Sequence, residues 1–264
     1  MRFLALVRRG LAHSRRGIAG WSSGVAAIVI VQLAVYPTVR SSAGDWSTVI
    51  DQFPESIKEV LRLTDYTSEV GYLSAELMSF VIPFIVMGYG ARWGARLATE
   101  DGDLGLADIV LSMPMSRWFV LAARFTTALV ALAVQAASFF AVLAAGAPMS
   151  GFGIALSRYF AAATTLMMLG VVTMSLAMWL GARTGKRSVA LGASMGVMVA
   201  AFIAYSLAPL VPVVDHTTPI NPIQWTLGAD SLRRGLGWSN LAWLVLTACA
   251  GCMASLRAYS HRDM

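Results

Sequence analysis

The side chains that could carry chemistry are few and lie far apart in the sequence. Cys249 and Cys252 have the two-residue spacing of redox and metal-binding motifs, but no cation lies near them to stabilise a thiolate. We interpret them as small residues that pack within a helix. His13, His216 and His261 lie outside the apolar stretches, so an intramembrane serine protease would lack its histidine base. We therefore predict that the chain is not itself an enzyme and has no metal site and no cofactor of its own.

A second group of candidate residues lies inside the apolar stretches. Glu76 falls in the second of them, where an acid is expensive unless it faces another helix or a water-filled cavity. Met167, Met174 and Met178 recur on one face of the fourth stretch, and methionine forms a soft lining that adapts to varied apolar ligands. These four residues form a candidate substrate path. The alternative, that they only pack against or hydrogen-bond to neighbouring helices, is open at this point.

The elements that position these residues are predicted to be membrane-spanning helices. Of the 264 residues, 57% are hydrophobic and only 13% charged, whereas a soluble domain has about a quarter charged residues. Mean hydropathy is +0.67. Six stretches approach the roughly 20 residues needed to cross the hydrocarbon core, and they are 17–38, 71–91, 119–145, 155–181, 188–210 and 238–258. The predicted fold class is all-α integral membrane, with a single transmembrane domain over residues 1–264.

The distribution of charge predicts the orientation of these spans. Most arginines and lysines lie in four segments, which are 1–16, 92–118, 182–187 and 257–264. Basic loops stay on the cytoplasmic side, so both termini are expected on the cytoplasmic side of the membrane. The acid-rich loop 39–70 and the loop 211–236 are then extracellular. Arg233 and Arg234 oppose this trend, and binding of anionic headgroups is the expectation for them.

Three further patterns concern the arrangement of the helices. Residues 1–16 combine basic and apolar side chains, which predicts an amphipathic helix on the inner membrane surface, with a disordered basic tail as the alternative. Gly20-x-x-x-Gly24 and Gly192-x-x-x-Gly196 allow helices to approach closely. They fit either an interface between subunits or packing inside the bundle. Whether the proline-containing loop 211–236 enters the outer leaflet is also open.

The segment between the second and third spans is longer than a simple connection requires. It contains Glu100 and Asp101, which we place at the N-terminal end of a short helix because the helix dipole favours negative charge there. Residues 109–111 give that helix an apolar patch, Pro114 ends it, and Arg117 precedes the third span. The segment is either an interfacial helix that stabilises the bundle or a docking surface for a cytoplasmic protein.

This segment resembles the cytoplasmic loop of type-2 ABC exporter permeases. The positions in register with that family's pattern are Gly105, Asp108, Leu111, Ser112, Pro114, Ser116 and Arg117. Leu106 and Ala107 depart from it, because threonine and leucine are usual there. The ending 259–264 is similar to the aromatic-x-x-Arg-Asp-hydrophobic tail of these permeases, and the order of the six spans extends the resemblance over the whole chain.

The resemblance implies the transmembrane permease subunit of an ATP-binding-cassette exporter. Such a subunit pairs with a second permease, the same or homologous, and docks two copies of a cytoplasmic ABC ATPase through a coupling helix between spans 2 and 3. The ATPase-coupling residues that it implies are Glu100, Asp101, Gly105, Asp108, Leu111, Pro114 and Arg117. The chain lacks a Gly-x-x-x-x-Gly-Lys-Ser/Thr loop, so ATP and magnesium would be bound by the ATPase. The substrate is expected to be hydrophobic or amphipathic, and no nucleic-acid partner is implied.

A secondary transporter, or another stand-alone six-span membrane protein, is the alternative. A secondary transporter would place paired charges or broken helices near the middle of the membrane in related repeats. Neither pattern is evident in the sequence. Dependence on a soluble ATPase distinguishes the two functions.

Overall fold

The computed structural model describes residues 2–54, 57–58, 65–103 and 117–260, and within these ranges the chain is helical and contains no β-strand. The α-helices are α1 (Arg2–Ser41), α2 (Ala43–Asp51), α3 (Glu69–Leu73), α4 (Val81–Asp103), α5 (Arg117–Gly146), α6 (Leu156–Thr184), α7 (Arg187–Leu207), α8 (Pro212–Asp215), α9 (Ser231–Arg234) and α10 (Trp238–Ser260). Short 3₁₀ turns cover Pro148–Ser150 and Thr218–Ile220, and π turns cover Ser74–Met78 and Gln224–Gly228.

Among the described residues, six helical segments are long and apolar enough to cross a membrane, which confirms the predicted six-span, all-α architecture. They are Phe3–Ser41, Glu69–Thr99, Phe119–Gly146, Leu156–Thr184, Arg187–Leu207 and Trp238–Ala258. The second combines α3, the π turn Ser74–Met78 and most of α4. Each predicted span overlaps one of the six, because about 20 consecutive apolar residues identify a spanning helix whatever its neighbours are.

The first helix is longer than the sequence predicts. α1 contains 40 residues in one unbroken helix, which at 1.5 Å per residue is about 60 Å and roughly twice the hydrocarbon thickness. Residues 2–16 are therefore helical, but they do not form the separate interfacial helix that the sequence predicts. No proline interrupts α1 before Pro37, so helical hydrogen bonding continues from the basic residues into the first span.

α1 runs parallel to α5 along most of its length. Near the two N-termini the rings of Phe3 and Phe119 meet edge to face, with their centroids 5.6 Å apart. Further along, the Ser138 hydroxyl donates to the Ser22 carbonyl oxygen at 3.3 Å. The basic part of α1 is thus held against the start of α5, which favours its continuation as one helix.

α6 packs against α4, α5, α7 and α10, and its contact with α4 is the most extensive. A Cβ atom added at Gly90 would overlap the carbonyl of Gly170, and one added at Gly94 would overlap the carbonyl of Met174. Two helix backbones come this close only where small residues line the contact. The crossing of α4 and α6 therefore fixes the position of the second span against the fourth.

The two Gly-x-x-x-Gly pairs do not pack inside the described part of the bundle. A Cβ atom added at Gly20, Gly24, Gly192 or Gly196 would find nothing within 4 Å. The interpretation as internal packing is therefore wrong for these four glycines. Their use in an interface between subunits stays a prediction.

The loop 211–236 returns into the bundle from the side predicted to be extracellular, which we call the outer side. Asn221 Nδ2 donates to the Ala201 carbonyl oxygen at 2.8 Å, and the hydroxyl oxygens of Thr165 and Ser231 lie 3.2 Å apart. Ala201 precedes the end of α7 by six residues and Thr165 follows the start of α6 by nine. These contacts therefore lie about 9 and 13 Å inside the outer helix ends, and part of the loop is re-entrant.

Gly94→Ala is expected to destabilise the chain, because the added methyl group would overlap the carbonyl of Met174. Overpacking of this kind lowers the free energy of unfolding by about 1–3 kcal/mol. The measurement is thermal unfolding of the purified protein in detergent micelles. Gly192→Ala is the matched control: its methyl group meets open space and should leave the unfolding midpoint unchanged or raise it. Equal effects of the two substitutions would contradict the close crossing of α4 and α6.

Candidate functional site

Glu76 lies in the π turn Ser74–Met78, between α3 and α4. π turns within α-helices are frequent at functional sites. Both carboxylate oxygens accept hydrogen bonds: Gln32 Nε2 donates to Oε2 at 3.1 Å, and the Tyr66 hydroxyl donates to Oε1 at 2.7 Å. One half-buried acid thus joins α1, the second span and the residues that precede that span.

A second tyrosine orients the amide of Gln32. The Tyr72 hydroxyl lies 2.9 Å from Gln32 Oε1 and donates to it, so the amide nitrogen faces Glu76. The ring of Tyr72 lies 5.1 Å from that of Tyr36, which stacks on Phe152 at 3.9 Å. In this conformation the chain itself therefore supplies hydrogen bonds to both carboxylate oxygens of Glu76. This agrees with the alternative that Glu76 forms a hydrogen bond between helices. Its contact with substrate stays a prediction.

Tyr66 has a perturbed acidity. Burial, followed by the hydrogen bond from its hydroxyl to Glu76 and the charge of that carboxylate, raises the pKa of Tyr66 above its usual value of about 10. The folded chain thus holds the phenolic proton more tightly than the unfolded chain does. The resulting stabilisation is fully present below about pH 10 and is lost as the pH rises through the raised pKa.

The three candidate methionines lie within the bundle. Met174 and Met178 are buried in a core that includes Trp93 and Leu244, between α4, α6 and α10. Met167 is half-buried and lines a small internal cavity. In this conformation the three side chains pack against neighbouring helices, and their part in a substrate path stays a prediction.

Arg233 binds protein carboxylates at the outer side. Its NH2 nitrogen lies 2.7 Å from Asp65 Oδ2, and its Nε lies 3.3 Å from Asp230 Oδ2. These partners cannot be predicted from the sequence, because Asp65 and Arg233 are 168 residues apart and come together only when the re-entrant loop folds back. The available signal was that the acidic loop 39–70 and Arg233 are predicted on the same side of the membrane.

The predicted coupling residues lie at or beyond the edge of the described structure. α4 continues through Asp103, so Glu100 and Asp101 belong to its last turn and not to the start of a new helix, as the sequence analysis places them. No proline interrupts residues 92–103, and the helical hydrogen bonding of the second span therefore continues into these polar residues. Arg117 is the first residue of α5. Gly105, Asp108, Leu111 and Pro114 lie outside the described residues.

Arginines near the opposite end of the bundle contact polar and aromatic groups. Arg96 NH1 donates to the Ser14 hydroxyl at 2.9 Å, and the guanidinium of Arg183 lies 5.3 Å from the centre of the Trp179 ring. Such side chains cover apolar groups with their stems while the charge stays near water. They lie at the end that the charge pattern predicts to be cytoplasmic.

The stretch around the two cysteines takes part in helix packing. Cys249 is exposed, Cys252 is half-buried, and both are free thiols. Between them, Gly251 lies so close to Ser175 that an added Cβ atom would come within 2.5 Å of its Oγ. In the described part of the chain, no group of three or more His, Cys, Asp or Glu residues could hold a metal ion.

A protein-family model covers nearly the whole chain. It is described as ABC-2 family transporter protein and matches residues 4–264. The matched region includes all six spanning segments and the segment between the second and third spans. No curated protein matches the sequence.

Tyr66→Phe is expected to lower the free energy of unfolding by about 1–2 kcal/mol, because it removes a hydrogen bond to a carboxylate. Glu76→Gln weakens the same bond, so the double variant should lose less stability than the two single variants together. The measurement is unfolding in micelles at neutral pH. Tyr159→Phe is the control, since the Tyr159 hydroxyl has no hydrogen-bond partner among the described residues. Additive losses would contradict the Tyr66–Glu76 bond.

Proposed function

Because this chain belongs to the ABC-2 family of transporter proteins, we propose that it is the permease subunit of an ATP-driven exporter. Proteins of this family are multi-pass membrane components of ABC transporters, and they work with a partner ATPase subunit and usually with a second permease. The observation that carries the proposal is the family match over residues 4–264, which spans all six membrane-crossing segments.

ATP hydrolysis is assigned to partner subunits. Since the chain has no phosphate-binding loop of the Gly-x-x-x-x-Gly-Lys-Ser/Thr type, ATP and magnesium belong to two copies of a cytoplasmic ABC ATPase. A second permease, either the same chain or a homologue, completes the substrate path. The proposed coupling residues are Glu100, Asp101, Gly105, Asp108, Leu111, Pro114 and Arg117.

α4 supplies a mechanical connection between this coupling segment and the outer half of the second span. It contains 23 residues, which correspond to about 35 Å of helix. Its inner end leads into the coupling segment, and its outer end adjoins the turn that carries Glu76. Closure of the ATPase subunits around ATP displaces the coupling segment, and the nucleotide thereby shifts the balance between two conformations of the spans.

The proposed substrate is hydrophobic or amphipathic. The candidate path contains three methionines, Met167, Met174 and Met178, whose thioether side chains adapt to varied apolar shapes, and the acid Glu76. The proposed location is the bacterial plasma membrane, with both termini in the cytoplasm, since the basic segments are retained on that side.

Docking to the ATPase is tested by disrupting the coupling segment. The double variant Gly105→Trp, Asp108→Arg is expected to bind the ATPase about tenfold more weakly or worse, because a bulky ring and a reversed charge at the centre of an interface remove well-packed contacts. The measurements are pull-down and ATP turnover after co-expression with candidate ATPase subunits of the same organism.

The matched control makes the same kinds of change on the predicted extracellular side. Gly44→Trp, Asp51→Arg should bind the ATPase as the unmodified chain does. If the Gly105→Trp, Asp108→Arg variant also docks and couples normally, the coupling assignment is wrong. Transport by the purified chain without any ATPase would instead support a secondary transporter.

The proposed orientation makes a separate prediction about thiol accessibility. In a chain whose two native cysteines are replaced by alanine, Asp215→Cys should react with a membrane-impermeant maleimide in intact cells. Arg187→Cys should react only after the cells are permeabilised, because basic segments stay in the cytoplasm. The reverse pattern would show that the chain is inserted the other way round.

A further inference from the structure

A cavity of about 560 Å³ opens at the outer side of the bundle. Its walls come from Ser74 in the outer part of the second span, Tyr205 near the end of α7, and Gln224 and Asp230 of the re-entrant loop. A volume in this range accommodates a small ligand or the headgroup of an amphipathic one. Neither the proposed coupling segment nor the methionine face uses this cavity.

Carboxylates outnumber cations among the described residues in the wall of the cavity. Asp65 and Asp230 share Arg233, so this trio carries one net negative charge. Among the described residues, the other charged members of the lining are Asp215 and Arg234. The described wall thus has one excess negative charge, although the whole chain carries a net charge of +6. This local excess of negative charge favours cations over anions.

An aromatic face lies directly below the cavity on the same two spans. Phe80 follows the π turn Ser74–Met78 and stacks on Phe84, with the ring centroids 4.5 Å apart. Phe202 of α7 meets Phe84 edge to face at 5.0 Å and lies one turn before Tyr205. Phe80 is 56% exposed, so the ring face is open to a ligand or to lipid. Tyr205 of the cavity wall packs against the same core cluster as Phe84 and Phe202, so the aromatic face adjoins the cavity on the second and fifth spans.

We propose that this cavity binds the cationic headgroup of an amphipathic substrate, whose apolar chain lies on Phe80, Phe84 and Phe202. The proposal rests on the proposed function, since it names the substrate class of the permease. A positively charged headgroup is attracted by Asp215 and by the net charge of the Asp65–Arg233–Asp230 trio. Aromatic faces next to the cavity stabilise both an apolar chain and a nearby cation.

Other headgroups fit this cavity less well. Arg233 already has carboxylate partners at 2.7 and 3.3 Å, so an anion that bound Arg233 would displace one carboxylate and leave it unpaired. An uncharged apolar ligand would remove water from these charges and offer them no partner in return. A cation leaves the existing ion pairs in place.

Photo-crosslinking to the full chain tests the site. The chain is reconstituted in phosphatidylcholine nanodiscs, and the probes are dodecyltrimethylammonium, dodecylphosphocholine and dodecyl sulfate, each with the same diazirine in its alkyl chain. We expect the ammonium probe to label peptides that contain Phe80 or Phe202, and to reach half-maximal labelling at a lower concentration than the other two. Equal labelling by the three probes, or a preference for the sulfate, would overturn the proposal.

Two single variants should act in opposite directions. Asp215→Asn is expected to raise the half-maximal concentration of the ammonium probe about fivefold, and Arg234→Gln is expected to lower it by a similar factor. A change of about fivefold in binding is the upper end of what one exposed charge pair contributes. Both side chains are exposed, so neither substitution disturbs the core. Asp51→Asn removes an acid outside the cavity and is expected to leave the half-maximal concentration of the ammonium probe unchanged. If the ammonium probe labels the two cavity variants at the same half-maximal concentration as this control, the charges of the cavity do not attract the headgroup and the proposal is wrong.

The ATPase pull-down distinguishes failure of this site from failure of the proposed function. Asp215→Asn and Arg234→Gln should bind the ATPase normally, because the cavity lies at the outer ends of the spans and the proposed coupling segment follows the inner end of α4. If the chain binds the ATPase normally but shows no preference for the ammonium probe, the headgroup site is wrong and the exporter function is not affected. Selective ammonium binding without any ATPase partner supports the site and overturns the exporter function.

Discussion

Inside a bilayer no water is available to hydrogen-bond a free backbone N–H or C=O group, so a spanning segment must satisfy these groups itself or through its neighbours. The six spans do so as helices, and the two π turns occur where other parts of the chain cover them: Leu77 and Leu227 within these turns are 1% and 3% exposed. The re-entrant loop follows the same rule, since the Asn221 side chain pairs with the Ala201 carbonyl. Within the described part of the chain, these two π turns thus lie at protein-covered positions in the outer half, where polar side chains such as Glu76 also lie.

Two kinds of contact hold the second span, and they respond differently to movement. Its middle is held by steric fit, because Gly90 and Gly94 allow α4 to touch the backbone of α6, and close packing of this kind has few alternative arrangements. Its outer end is held by directional polar contacts, from Tyr66 to Glu76 and, in the residues just before the span, from Arg233 to Asp65. Polar contacts can exchange partners without leaving a void, so the outer end is the part suited to change.

The sequence predicts the elements of this fold much better than it predicts the contacts between them. The six spans follow from local apolar composition alone. The bond between Gln32 and Glu76 could not be predicted, because these residues lie 44 positions apart and no local pattern specifies which helices become neighbours. The sequence predicts too early an end for α4, because acidic residues after an apolar stretch resemble a helix N-terminus. Helical hydrogen bonding instead continues through Asp103. The proposed coupling segment rests on the resemblance and not on periodicity.

The position of the glycine contacts along α4 bears on how a cytoplasmic partner could act on the outer side. Gly90 lies nine residues after the start of α4, and Gly94 lies nine residues before its end, so the tight contact with α6 falls at the middle of the helix. A rigid helix held at its middle can pivot there, and displacement of its inner end then moves its outer end the opposite way. In the proposed exporter, the inner end is attached to the coupling segment, and the outer end adjoins the turn that carries Ser74 and Glu76. Such a pivot would move Ser74 in the wall of the outer cavity, and the polar side chains at this end would exchange hydrogen-bond partners. The close contact between the middle of α4 and α6 would keep its arrangement.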